Sequence, residues 1–229
     1  MEYLNDEGLL IEQPDNLYRL SSDAVALGNF VTCKNTDRVI DVGCGTGVLT
    51  LLIAFDHQPR EMISVDINAE AIQQLKKNLD INQDKLSNTK FTVLNADARQ
   101  LHTQISANSA DVIVCNPPYF TTGKKSQNQH ISQARHADTL SLEDLATLCT
   151  RNLKYGGTVY FCYPANQIAK AITIFENNNF RIKTIKLLSN NKGIYLAIFR
   201  AKKGGGHQTT LLVWKSILDT GTFHIQHAR

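Results

Sequence analysis

The chain has 229 residues, of which 42% are hydrophobic and 20% charged, and this composition fits one α/β domain with a well-formed core. No apolar run approaches the roughly 18 residues that a membrane-spanning helix requires, so no such helix is expected. The polar first residues are unlike a signal peptide, and five cysteines without C-x-x-C spacing favour buried, reduced thiols. His224 and His227 have no cysteine or acidic residue nearby, so no metal site is predicted. We expect a cytoplasmic protein, with a monomer favoured over an oligomer.

Strand-like and helix-like segments alternate along the chain. Apolar runs predict strands at 38–42, 62–66, 91–94, 112–115, 158–163, 181–188 and 194–200. Helical spacing predicts helices at 48–55, 68–82 and 166–176, and a further helix from Ser141 to the glycine pair Gly156–Gly157.

The first five strands are separated by helices, which predicts a parallel, doubly wound sheet. Only the short turn 190–193 separates the last two strands, so these should pair as an antiparallel hairpin. We therefore expect an α/β fold with a seven-stranded, mostly parallel sheet, an antiparallel final strand and helices on both faces. This is the Rossmann-like layout of class I methyltransferases.

A glycine-rich segment, Asp41-Val-Gly-Cys-Gly-Thr-Gly47, follows the first strand. Ligands of doubly wound sheets bind at the carboxyl ends of strands, where glycines let the backbone approach closely. Gly43, Gly45 and Gly47 do not match the G-x-G-x-x-G spacing typical of dinucleotide sites. The spacing favours S-adenosylmethionine, with Asp41 beside its ammonium group.

Two further acidic residues follow the next strands. Asp66 ends the second strand, where a carboxylate can accept hydrogen bonds from both ribose hydroxyls. Asp97 follows the third strand and is placed to accept a hydrogen bond from the adenine amino group. Their neighbours Ile67 and Ala98 are included in the predicted cofactor site.

The segment Asn116-Pro117-Pro118-Tyr119 directly follows the fourth strand, which should neighbour the first. The prolines stiffen the segment, so the Asn116 side chain and the Pro117 carbonyl can both accept from one NH2 group. Tyr119 can stack on a planar target. The motif predicts methylation of an amino nitrogen on a planar group, with Asn116 next to both the cofactor and the substrate.

Two stretches of the chain contain no acidic residue, 112–137 and 177–218. Such basic stretches favour a polyanion, although charge alone does not separate a nucleic-acid surface from an ordinary solvated face. The aperiodic loop 120–139 is expected to be mobile in the absence of RNA. The candidate RNA-binding residues are Lys124, Lys125, Arg135, Lys192, Lys202 and Lys203.

With these motifs, the chain resembles the bacterial tRNA1(Val) (adenine-37-N6)-methyltransferase family from about residue 9 to residue 203. The more family-specific similarities are Gln13 and the segments 18–24, 133–136, 141–145 and 202–205. The resemblance implies a single domain, with a cofactor-covering segment at 1–37, a catalytic core at 38–203 and a C-terminal extension at 204–229. It also implies that the substrate is adenosine 37 of a valine tRNA. The roles implied are target N6 binding for Asn116 and Pro117, adenine stacking for Tyr119, and cofactor binding for Asp41, Gly43, Asp66 and Asp97.

Three alternatives stay open. A protein-glutamine N5-methyltransferase acting on a release factor or ribosomal protein uses the same four-residue motif, but it usually carries a substrate-binding domain ahead of the catalytic one. Only about 40 residues precede the glycine-rich segment here, too few for such a domain. The second alternative is a DNA or rRNA amino-methyltransferase. The third is a non-catalytic cofactor-binding or RNA-binding module, and the intact motif that begins at Asn116 argues against it.

Overall fold

The fold is built around a central β-sheet. The computed structural model describes residues 1–14, 16–17, 21–117 and 140–204 and the backbone of 210–213. The strands are β1 (Glu2–Tyr3), β2 (Leu10–Ile11), β3 (Arg38–Val42), β4 (Glu61–Asp66), β5 (Lys90–Asn95), β6 (Ala110–Cys115), β7 (Leu153–Pro164), β8 (Phe180–Asn190), β9 (Gly193–Lys203) and β10 (Thr210–Val213). The helices are α1 (Ser22–Gly28), α2 (Val48–His57), α3 (Ala69–Ile81), α4 (Leu142–Asn152) and α5 (Ile168–Asn177).

The main sheet has the strand order β10-β8-β9-β7-β6-β3-β4-β5. Strands β3 to β7 are parallel to their neighbours among themselves, whereas β9 runs antiparallel to both β7 and β8. The expected mostly parallel sheet and the antiparallel hairpin are therefore confirmed. An eighth strand, β10, was not predicted; it pairs in parallel with β8 at the sheet edge.

Apolar side chains of both sheet faces are covered by helices. On one face, Leu27 of α1 and Ile53 of α2 pack with Val114 of β6. On the other face, the aromatic rings of Phe161 in β7 and Phe175 in α5 stack with their centroids 4.3 Å apart. The sheet is thus buried on both faces, as a parallel sheet requires.

Two helix starts agree with the sequence signals and one helix end does not. The side chain of Asn68 caps α3, and Ser141 with Asp144 forms a capping box at α4. The pair Gly156–Gly157 does not end α4, which stops at Asn152 and runs directly into β7. Gly157 lies within β7, where a Cβ would come within 3.0 Å of the Leu153 side chain and the Lys154 carbonyl oxygen, and within 3.1 Å of the Asp111 carbonyl oxygen of β6. Gly157 therefore permits tight packing of the backbone here, whereas Gly156 supplies a left-handed φ of +79°.

The helices described by the structure are all too short or too polar to cross a bilayer.

Candidate functional site

Four strands end side by side at what we call the carboxyl edge of the sheet. Val42, the last residue of β3, is paired with Cys115 of β6 on one side and with Val65 of β4 on the other. Asp66 ends β4 opposite Asn95 of β5. This register brings together the residues that follow these strands, which are the predicted site residues Gly43, Asp66, Asp97 and Asn116.

The glycine loop, residues 43–47, is held by hydrogen bonds from neighbouring parts of the fold. Its first two N–H groups donate to the carbonyl oxygen of Val65, at 2.9 and 3.1 Å. The N–H of Gly45 donates to Oδ2 of Asp66 at 2.8 Å. The loop is therefore held in one conformation by the protein itself.

The three loop glycines have φ angles of +72°, +53° and +100°, in the left-handed region that favours glycine. A Cβ at Gly43 or Gly45 would meet no atom within 4 Å, so both positions face open space. A Cβ at Gly47 would collide with the side chain of Leu75 in α3. The first two glycines thus leave room for a ligand, and the third allows α2 to pack against α3.

Asp41 lies beneath the loop and is completely buried. Its Oδ2 accepts a hydrogen bond from the Thr50 hydroxyl at 2.7 Å, and Thr50 is 2.7 Å from the Ser64 hydroxyl. Among the described residues Oδ1 has no hydrogen-bond partner. Burial raises the pKa of Asp41 to about 7, against the opposing effect of the Thr50 hydrogen bond. A buried carboxyl with a free acceptor favours a cationic group nearby. The side chain of Asp41 has no exposed atom, however, so a direct contact with a ligand stays a prediction.

At the end of β4, Asp66 and Ile67 form a turn that faces solvent. Asp66 Oδ1 accepts from the N–H of Asn68 at 2.8 Å, and each carboxylate oxygen retains capacity for a second donor. Ile67 is 51% exposed, an unusual position for a large apolar side chain. The side-chain amide of Asn95 donates to the carbonyl oxygens of both Asp66 and Ile67, each at 3.0 Å. The positioning role of Asn95 was missed in the sequence.

Asp97 caps a short 3-10 helix, Ala98–Thr103. Its carboxylate accepts from the backbone N–H of Arg99 at 2.9 Å and from the guanidinium of the same residue at 2.6 Å. The hydrogen bonds from Arg99 hold the pKa of Asp97 below its ordinary value. Ala98 is half-buried beside it. The structure therefore shows a local capping role, and a contact with adenine stays a prediction.

Asn116 and Pro117 are half-buried at the end of β6, level with the start of the glycine loop. The rest of the acceptor motif, Pro118 and Tyr119, lies outside the described residues. The expected mobile loop 120–139 lies there too, with its basic residues Lys124, Lys125 and Arg135.

The remaining predicted RNA contacts lie at opposite ends of the sheet. Lys192 occupies the turn between β8 and β9. Ile198 of β9 is paired with Cys162 of β7, which lies level with Asn116. The hairpin therefore extends roughly 15 Å past Asn116. Lys202 is paired with Thr158 near the other end.

Lys203 lies beside Lys202, far from the glycine loop. Its ammonium donates to the carbonyl oxygens of Thr150 and Leu153, at 2.6 and 2.7 Å, and to Oδ1 of Asn108 at 2.9 Å. Lys203 thus satisfies the C-terminal end of α4, and neither it nor Lys202 joins the carboxyl edge.

Two buried asparagines, Asn78 of α3 and Asn82 at the C-cap of α3, were missed in the sequence. Asn78 donates a hydrogen bond to the Thr46 carbonyl oxygen of the glycine loop at 2.9 Å. The available signal was helical spacing, because Asn78 and Asn82 follow Leu75 at intervals of three and seven and therefore fall on the apolar face. Across the described ranges, no three His, Cys, Asp or Glu side chains are clustered as a metal site would need.

Comparison with known proteins shows which family the chain is similar to. The family model described as the methyltransferase small domain matches residues 24–162. A tRNA1(Val) (adenine(37)-N6)-methyltransferase from Vibrio campbellii is 28% identical over 85% of this chain and 80% of its own length. A protein of the same name from Aliivibrio salmonicida is 28% identical over 76% of this chain and 72% of its own. The resemblance seen in the sequence is thereby confirmed.

Among solved structures, a predicted O-methyltransferase from Agrobacterium tumefaciens is similar, with a TM-score of 0.66 and 17% identity. The match covers 89% of this chain and 91% of that one. At this identity the similarity shows a common fold, which confirms the expected class I methyltransferase architecture.

Proposed function

Since the matched model spans more than half of the chain, the protein belongs to the methyltransferase small domain family, and we propose that it methylates the exocyclic N6 of an adenosine in tRNA. The names of the similar proteins point to adenosine 37 of a valine tRNA as the target. The observation that carries the proposal is the register of β3 and β6, which puts Asn116 level with the glycine loop.

We propose that the methyl donor is S-adenosylmethionine, which when bound supplies a methyl group on a positively charged sulfur. Gly43 and Gly45 leave the open space in which its amino-acid part would lie. Asp66 retains acceptor capacity for the ribose hydroxyls, and Ile67 offers an exposed apolar surface for the purine. Asp97 and Ala98 follow β5 at the same edge, which supports a contact with the adenine.

The side-chain oxygen of Asn116 and the carbonyl oxygen of Pro117 accept the two hydrogens of the target NH2 in this proposal. That nitrogen is a poor nucleophile because its lone pair is delocalised into the purine. Two acceptors that hold both hydrogens favour a pyramidal nitrogen, whose lone pair is then aimed at the methyl group. Tyr119 stacks on the adenine, and the proton leaves the nitrogen after transfer.

The RNA approaches from the carboxyl edge. Lys192 lies past that edge, at the tip of the β8–β9 hairpin, within an acid-free stretch of sequence. Lys124, Lys125 and Arg135 follow the acceptor motif in the sequence and complete the proposed set of basic RNA contacts. Lys202 and Lys203 are not included, because they lie at the other end of the sheet and the Lys203 ammonium is already satisfied.

Incubation with radiolabelled S-adenosylmethionine and unmodified valine tRNA tests the proposal. We expect label in N6-methyladenosine at position 37, identified by nuclease digestion and mass spectrometry. A transcript with guanosine at position 37 is the matched control and should take up no label. Label on a protein glutamine, or on RNA at another position, would contradict the proposed substrate.

A further inference from the structure

The N-terminal strap, residues 9–12, is attached to α3 and its C-cap by two asparagine side chains. Asn82 accepts a hydrogen bond from the backbone N–H of Leu10 at 2.9 Å and donates to its carbonyl oxygen at 2.7 Å. Asn78 does the same for Glu12, accepting at 2.9 Å and donating at 3.1 Å. Each side-chain amide therefore takes the place of a neighbouring β-strand.

Burial strengthens this attachment. Asn78 and Asn82 are 0% and 2% exposed, and Leu9 and Ile11 of the strap are fully buried. A buried amide that loses its partners must stay unsatisfied, which makes the docked position of the strap well defined.

Only one of the two asparagines reaches the glycine loop. The second N–H of Asn78 donates to the carbonyl oxygen of Thr46 at 2.9 Å, whereas Asn82 donates to the backbone carbonyl oxygen of Asn78 at 2.7 Å. The Thr46 carbonyl and the Gly47 N–H belong to one peptide unit, and that N–H donates to Cys44 O at 2.9 Å. Asn78 thus fixes one end of the last peptide unit of the loop, and the loop itself fixes the other.

We propose that Asn78 is a positioning residue that couples docking of the N-terminal strap to the shape of the glycine loop, so that strap docking and binding of S-adenosylmethionine strengthen each other. This inference rests on the proposed function, since it takes the loop as the cofactor site. Without Asn78, the Thr46 carbonyl loses its buried partner and the peptide unit is free to turn. The loop then has to be reordered when the cofactor binds, and affinity falls by the cost of that ordering.

Asn78→Ala and Asn82→Ala form a matched pair for the test. Both remove a buried amide that holds the strap, but only Asn78→Ala removes the bond to the loop. By titration calorimetry with S-adenosylmethionine, we expect Asn78→Ala to weaken binding about tenfold and Asn82→Ala by about twofold or less. At saturating cofactor, the methyl-transfer rate of Asn78→Ala should match that of the wild type, because the acceptor Asn116 is unaffected. Equal losses of affinity in the two variants would overturn the proposal.

Asn78→Asp keeps the acceptor for Glu12 N–H and removes the donors to the carbonyl oxygens of Thr46 and Glu12. We expect it to bind the cofactor as weakly as Asn78→Ala. Wild-type affinity in Asn78→Asp would overturn the proposal.

Amide exchange in the wild type provides a test that does not depend on folding of a variant. Coupling between two sites is reciprocal. If docking of the strap strengthens binding of S-adenosylmethionine, saturation with S-adenosylmethionine should slow exchange of the Glu12 N–H in the strap by the same factor. An exchange rate that does not change would contradict the coupling. Failure of the proposed function gives a different result, namely no binding of S-adenosylmethionine by the wild type in the same calorimeter.

Discussion

At the amino edge of the sheet, where β3 and β4 begin, carboxylates form ion pairs with basic residues of neighbouring strands. At the carboxyl edge, Asp66 is held by backbone N–H groups and Asp97 pairs with Arg99 two residues away. Arg38 and Glu61 form an ion pair at 2.7 Å, and Lys154 binds Asp111 at 2.6 Å, so the charges at the amino edge are neutralised within the fold. At the carboxyl edge, Asp66 accepts only backbone N–H groups from described residues and Asp41 keeps an oxygen without a partner there.

This difference between the two edges indicates that the amino edge serves stability and the carboxyl edge serves ligand binding. Ion pairs at the amino edge link neighbouring strands and neutralise their charges. The carboxyl edge keeps its loop in a fixed shape while leaving acceptors and open space for ligands, which is the usual position of ligand sites in doubly wound sheets. Substitutions at the two edges should therefore have opposite effects on stability and activity.

The largest expected effect is that of Asn116→Ala at the carboxyl edge. Loss of one of two acceptors for the target NH2 should lower the single-turnover methyl-transfer rate by about 100- to 1,000-fold. The unfolding midpoint should change little, because the side chain is only half-buried. A rate close to that of the wild type would remove the proposed role of Asn116.

Substitution of two loop glycines, Gly45 and Gly47, should separate ligand binding from stability within the site itself. Gly45→Ala places a methyl group in open space, so we expect loss of cofactor binding with a modest stability cost of about 1 kcal/mol from the left-handed backbone. Gly47→Ala forces a collision with the buried Leu75 side chain and should cost a further 1 to about 3 kcal/mol of stability. Urea unfolding together with calorimetric titration of both variants provides the measurement. The comparison breaks if Gly45→Ala binds the cofactor normally, or if the two variants are equally stable.

Asp41→Asn should make the protein more stable in a defined pH range. Burial raises the pKa of Asp41 to about 7 in the folded protein, from an ordinary value of 3.8. The folded state therefore binds the extra proton between these values, and the free energy of unfolding of the wild type falls as pH rises from about 4 to about 7. Relative to Asp41→Asn the fall should reach roughly 1 to 3 kcal/mol.

Cofactor binding should show the opposite trend. The ionised form of Asp41 favours a nearby ammonium group, so wild-type affinity for S-adenosylmethionine should rise as pH rises through about 7, and the variant should lack this rise. Chemical denaturation and calorimetry across the pH range measure both effects. Parallel pH profiles for the two proteins would contradict a buried, titrating Asp41.

The smallest effect is expected at the amino edge. Glu61→Gln removes the ion pairs with Arg38 and Lys90 and should lower stability by about 1 kcal/mol at neutral pH, with unchanged methyl transfer. Burial raises the pKa of Glu61, but the ion pair with Arg38 outweighs burial and lowers this pKa below 4.5. The stability that the ionised Glu61 contributes is therefore present above pH 4.5 and is lost as the pH falls through the pKa of the folded protein. Lys90→Ala, which removes only the longer and more exposed contact, is the matched control and should lie closer to the wild type. Reduced activity of Glu61→Gln would show that the edges are not independent.

The sequence predicted the parts of the site that are continuous in the chain. The glycine loop and Asn116 each follow a buried strand, and because these strands are neighbours, local motifs were sufficient to place them together. The antiparallel pairing of the last two predicted strands followed from the short turn before β9.

Other features depend on contacts between distant parts of the chain. Asn78 and Asn82 were not identified, because their partners lie 66 and 72 residues away in a segment without periodicity. Strand β10 was not predicted because its four residues become a strand only by pairing with β8. Lys203 was assigned to RNA from its charge, since the carbonyl groups that it satisfies become neighbours only in the folded chain.

A crystal structure of the protein with S-adenosylhomocysteine tests the central claim most directly. We predict that the amino-acid part of the ligand lies over Gly43 and Gly45, that its ribose hydroxyls bind Asp66, and that its sulfur faces Asn116. A ligand bound away from the carboxyl edge, or one whose sulfur faces away from Asn116, would contradict the claim that this edge joins methyl donor and amino acceptor.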